Sequence, residues 1–118
     1  MERDMDLVRE ILLDIESVPA GCDWEHKDYG RNEDTVYEHI QIMKQAGLVS
    51  GGIHEGSGGR FPVSVKITWN GYEFLDASRD SKVWNSVKQK AMDSGVSLTF
   101  DVLLNALKMA AQTLDKLF

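Results

Sequence analysis

Seven side chains between residues 27 and 60 have the types and spacing to engage a nucleic acid. Lys27 and Arg31 could pair with phosphates; Tyr37, Gln41, Lys44 and Gln45 share one helical segment, and Arg60 sits on a glycine-rich turn. Glutamine amides and a lysine match the donors and acceptors that base edges present in a major groove, and an arginine on a projecting turn can reach a backbone or a minor groove. Other chemistries are less well supplied. Cys22 and His26 lie four apart, with His39 and His54 farther on, but zinc takes four ligands in paired spacings, and only a carboxylate such as Asp23 or Glu25 could complete this set. Structural loop and helix residues are the better reading. No nucleophile motif surrounds Cys22, and Gly56-Ser57-Gly58-Gly59-Arg60 lacks the Lys-Ser/Thr and following helix of a phosphate-binding loop. No acid pair or triad stands out, so no enzyme, cofactor or metal is expected.

The elements that must position these residues are legible from periodicity. Residues 4–17 form a helix with Met5, Val8, Leu12 and Ile15 on one stripe, widened by Leu7 and Ile11; Asp4 is its N-cap. Residues 22–34 are the least periodic part, where Trp24 and Tyr29 would anchor a loop or a strand added to the sheet. Thr35 with Glu38 matches a capping box and opens a helix over 36–46, with Val36, Ile40 and Met43 inward and Tyr37, Glu38, Gln41, Lys44 and Gln45 outward. Gly47 stops it. Residues 48–53 and 64–68 then read as a β-ribbon with a mobile glycine-rich tip at 56–60, Pro62 suiting an edge strand. Thr68, or Asn70 with Glu73, caps the next helix.

Residues 80–93 and 97–118 read as two more helices. The second carries Phe100, Leu103, Leu107, Leu114 and Leu117 at three- and four-residue spacing, a face for packing within the chain or for a homodimer. Trp24, Trp69, Trp84, Phe74 and Phe100 have apolar neighbours and are expected in the core. The pattern as a whole is α+β and mostly helical: a winged helix-turn-helix with a small antiparallel sheet as the wing and additional C-terminal helices. A single domain over 1–118 is expected, with a core and wing at 1–78 and a helical extension at 79–118.

Charge opposes the simplest functional reading. The net charge is −6 over 118 residues, and residues 1–70 hold seven Lys and Arg against thirteen Asp and Glu, whereas the remainder holds six of each. Attraction to DNA comes from cations neutralising phosphates, so an acidic reading head argues against a strong non-specific grip. Glu33, Asp34 and Glu38 cluster where such a helix would enter the groove, Glu38 being read first as the capping partner. The charged start, the lone cysteine and the absence of an apolar run of about 20 residues fit a cytoplasmic protein with no membrane partner.

Arg3-Asp4-Met5-Asp6-Leu7-Val8-Arg9-Glu10-Ile11-Leu12, Tyr37-Glu38-His39-Ile40, Gln45-Ala46-Gly47-Leu48-Val49, Ile67-Thr68-Trp69-Asn70-Gly71-Tyr72-Glu73-Phe74-Leu75-Asp76 and Val83-Trp84 resemble the bacterial and phage family called domain of unknown function 2513. The segments 46–49 and 67–71 are also similar to those bracketing the wing in bacterial winged-helix regulators. The resemblance implies a fold and brings no catalytic residues with it. The expectation is a DNA-binding transcriptional regulator of bacterial or phage origin on double-stranded DNA. The alternative is an acidic winged-helix module that binds another protein.

Overall fold

The computed structural model describes residues 1–95 and 100–117, the side chains of Phe100 and of residues 111–117 excepted. In chain order its elements are α1 (Met5–Ser17), α2 (Glu33–Gln45), β1 (Val49–Gly56), β2 (Gly59–Ile67), α3 (Trp69–Ser78), α4 (Ser81–Asp93) and α5 (Phe100–Leu117). Among the described residues these make an α+β chain of five helices and one two-stranded antiparallel sheet. Packing groups them into two units, Met1–Tyr72 and Glu73–Phe118.

The first unit is built on α1. Asp4 caps it by accepting the Leu7 N–H at 3.1 Å, and Met5, Leu7, Val8, Ile11, Leu12 and Ile15 are all buried, as their spacing requires. Residues 22–32 contain no strand: the sheet has two strands, and this segment is an irregular loop tied to α1 through Asp14. That carboxylate accepts from Trp24 Nε1 at 2.7 Å, Tyr29 Oη at 2.6 Å and Lys27 Nζ at 2.7 Å. Three donors on one acidic side chain do for the loop what a ladder does for a strand, which is to satisfy its polar groups while Trp24 is buried.

Helix α2 begins one turn earlier than its capping box suggests. Asn32 is the N-cap, its side chain accepting the Thr35 N–H at 2.8 Å, so Glu33 and Asp34 fall in the first turn, where the helix dipole favours anions. Glu38 is consequently an interior helical residue and not the reciprocal cap. Tyr37, expected on the outward face, is also buried. At the other end Gly47, at φ 79°, turns the chain in a Schellman motif: its N–H meets Lys44 O at 3.0 Å and the Leu48 N–H meets Met43 O at 2.9 Å.

The ribbon is longer than its hydrophobic alternation indicates. Pairing runs from Val49 with Ile67 out to Gly56 with Gly59, leaving Ser57-Gly58 as a tight two-residue turn in place of a loose tip. An irregularity between Ser50 and Gly52 leaves Gly51 facing the bulged Ser64, and a Cβ on Gly51 would lie 2.2 Å from Ser64 O. At the base of the ribbon Thr68 joins three elements. Its N–H donates to Leu48 O at 3.0 Å, its hydroxyl donates to Gly47 O, and the same oxygen accepts the Gly71 N–H at 3.1 Å, capping α3. Gly71 is packed so tightly here that a Cβ would meet Leu48 O at 2.1 Å.

In the second unit Phe74, Leu75, Trp84, Val87, Leu103 and Leu107 are buried, with the Phe74 and Trp84 rings edge to face at 5.8 Å. Asp80 caps α4 through the Lys82 and Val83 N–H groups. Helix α5 begins at Phe100; residues 97–99 and 118, included in the expected helix, lie outside the described residues. Leu103 and Leu107 are fully buried within the single chain, so they hold this unit together and are not presented to a second copy. The Phe100, Leu114 and Leu117 side chains lie outside the described residues.

Acid should loosen the first unit through two carboxylates. Burial acts to raise the pKa of Asp4 and Asp14, but hydrogen bonds from Arg31 and the Leu7 N–H to the one, and from Lys27, Tyr29 and Trp24 to the other, hold both below the ordinary value. A depressed folded pKa stabilises above the unfolded value of about 3.9 and ceases to as pH falls through the folded one. Urea midpoints should therefore fall as pH drops below about 4, and Asp14→Asn should shrink that fall; an equal fall in the variant would remove Asp14 from the account. Gly71→Ala should cost about 2 kcal/mol or more in urea unfolding, as overpacking against backbone does.

Candidate functional site

The residues with binding chemistry lie around α2 and the ribbon, and the structure separates them into a quenched set and an open set. Lys27 is bound to Asp14 at 2.7 Å. Arg31 donates to Asp4 at 2.7 Å, to Glu10 at 3.5 Å and to the Tyr29 carbonyl at 2.7 Å, and the Asp4 hydrogen bond raises its pKa further. Arg60 donates to Asp34, lies 3.8 Å from Glu38 and places its guanidinium 5.3 Å from the centre of the Tyr37 ring. All three cations expected to meet phosphates thus sit on carboxylates of the same chain.

Tyr37 forms the floor of the Arg60 seat. It is 3% exposed, its hydroxyl pKa is raised by burial and then by Glu33, and the His26 ring stands edge-on to it at 5.0 Å. The Nδ1 atom of His26 is buried with no hydrogen-bond partner among the described residues. Tyr37 is therefore a packing residue that orients Arg60, and its ring is closed to a groove.

The open set is Gln41, Lys44 and Gln45. With Gly52 and Ile53 they line a shallow recess of about 240 Å³ between the C-terminal half of α2 and β1. No carboxylate lines it, and the Lys44 side chain extends over Gly52, its Nζ 3.4 Å from where a Cβ would stand. Three of the seven sequence-chosen residues are brought together here; Lys27, Arg31, Tyr37 and Arg60 are not.

The histidines and Cys22 go to separate places. His39, weighed as a ligand and read instead as a structural helix residue, is fully buried: Nε2 accepts the Asp4 N–H at 2.9 Å and Nδ1 faces Thr35 O at 2.8 Å, so the proton is on Nδ1 and the ring ties the start of α1 to α2. Its position three after Val36 and four before Met43 put it on the inward stripe, a signal present in the sequence. His54 pairs with Phe61 on the ribbon at 5.1 Å. Cys22 is an exposed free thiol, and among the described residues no group of three or more His, Cys, Asp or Glu could hold a metal ion.

Exposed apolar residues form the remaining feature. Phe61 and Val63, two apart on β2 and so on one face, are 47% and 44% exposed, with His54 opposite Phe61. Arg60 alternates to the face that meets α2. Trp69, expected in the core, is 80% exposed at the start of α3, and Tyr72, three residues on, is 43% exposed. Trp69 directly follows the capping residue Thr68, on the first turn of α3.

The family model for the hypothetical protein family DUF2513 matches residues 2–97. The chain belongs to the DUF2513 family. A relative from Haemophilus influenzae (strain ATCC 51907 / DSM 11121 / KW20 / Rd), an uncharacterised protein, is 32% identical over 122 residues, covering 97% of this chain and 95% of its own. No solved structure matches. The DUF2513 match takes in α1 through α4 with the whole open and quenched sets and ends before α5. No helix among the described residues is long and apolar enough to cross a membrane.

Iodide or acrylamide quenching of the tryptophan fluorescence should be dominated by Trp69, since Trp24 and Trp84 are 3% and 2% exposed. Trp69→Phe should abolish most of the quenching and shift the remaining emission to the blue; retention of the quenchable component would place Trp69 indoors.

Proposed function

We propose that the first unit is a winged-helix-like module that binds another protein, with β1 and β2 as the wing and the Phe61, Val63 and His54 face as the contact. The observation that carries this reading is the pairing of Lys27, Arg31 and Arg60 with carboxylates of their own chain. Nucleic-acid affinity rests largely on cations that exchange counterions for phosphates, and none of these three is offered to a phosphate. Glu33, Asp34 and Glu38 remain exposed on the same end of α2, so a duplex approaching there meets like charge. Half-exposed Phe and Val on one strand face, by contrast, are suited to a partner that removes them from water.

A second reading, a DNA-binding transcriptional regulator, is favoured by one specific observation: Gln41, Lys44 and Gln45 line a recess with no acid in it. Two amides and an ammonium can read base edges, and the neighbouring ribbon is where a wing would stand.

A photo-crosslinking amino acid at Phe61 should give a discrete protein adduct in the native host, absent when the same group replaces Met92 on α4. Selection of random duplexes should enrich no sequence. An enriched sequence whose binding falls on Gln41→Ala, together with no adduct from Phe61, would overturn the first reading in favour of the second.

A further inference from the structure

The seat of Arg60 has a consequence beyond partner binding. Arg60 is the cation nearest the turn of the ribbon, and its guanidinium is enclosed on three sides by the Asp34 carboxylate, the Glu38 carboxylate and the Tyr37 ring. Only 21% of its side chain is exposed, against 84% for Asp34 and 49% for Glu38. The two carboxylate side chains are thus largely exposed and the Arg60 side chain largely covered, so the cluster presents more acidic than basic surface to solvent. A guanidinium binds carboxylate and phosphate oxygens with the same forked geometry, so Asp34 and Glu38 stand where the oxygens of a phosphodiester would.

We propose that this clasp is an autoinhibitory contact: Asp34 and Glu38 occupy Arg60 in place of a nucleic-acid phosphate and withhold the ribbon's terminal cation from polyanions. Exposed ion pairs of this kind are weak and screened by salt, so the clasp is a balance between two anions and not a permanent bond. Removing the charge of the carboxylates tips the balance without disturbing Tyr37, whose ring, braced by His26, continues to aim Arg60. The clasp stands or fails independently of the protein partner, because its readout is affinity for phosphate and not the Phe61 adduct.

The test is binding of the full chain to a labelled random DNA duplex at low salt. Asp34→Asn with Glu38→Gln should bind about tenfold tighter than Asp23→Asn with Glu25→Gln, a pair of equal charge change on the exposed loop. Adding Arg60→Gln to the first pair should return it to the level of that control. A clasp variant no tighter than the control, or a gain that survives Arg60→Gln, overturns the proposal. If the double variant fails to fold, Asp34→Asn against Asp23→Asn carries the same comparison, since the Asp34 side chain is 84% exposed.

Discussion

The carbonyl of Leu48 is the point on which the first unit turns. It accepts the Thr68 N–H and lies so close to Gly71 that no side chain fits between them. Because Leu48 follows the Schellman turn at Gly47, this one contact ties the end of α2 to the base of both ribbon strands and to the start of α3. Thr68 completes the junction with its hydroxyl, donating to the Gly47 carbonyl and capping α3. A two-stranded ribbon is marginal by itself. Anchored at its base by backbone hydrogen bonds, it can project a full face to solvent and still remain ordered.

Electrostatics then divides the surface that the junction creates. The acidic excess of the first seventy residues is largely an internal resource: Asp4 and Glu10 hold Arg31, Asp14 holds Lys27 with Trp24 and Tyr29, and Asp34 and Glu38 hold Arg60. The first two sets fasten a loop that has no secondary structure of its own, and the third fastens the ribbon to α2. Each pair between exposed partners is weak. Their collective effect is on the field around the N-terminal end of α2, where Arg60 is paired and Glu33, Asp34 and Glu38 face water.

The ribbon is consequently two-sided. Arg60 points to α2, whereas Phe61 and Val63 alternate with it and face outward beside His54. The same strand that pairs a cation with α2 displays apolar surface, and the proposed preference for a protein partner over a duplex rests on that.

Local chemistry determined much of this from the sequence alone. The stripe of α1, its Asp4 cap, the stop at Gly47, the antiparallel ribbon and the Thr68 cap follow from periodicity and turn residues, which act over a few positions. His39 was legible too, being in register with Val36 and Met43. Only the tertiary structure decided the start of α2 at Asn32, where two competing caps lie three residues apart, and the burial of Tyr37 beneath Arg60. It also decided the exposure of Trp69 and the pairing of each cation with its acid. Ion pairs between residues 13 to 27 apart leave no periodic trace, because what brings Arg60 to Asp34 is the path of the ribbon and not the identity of its neighbours in the chain.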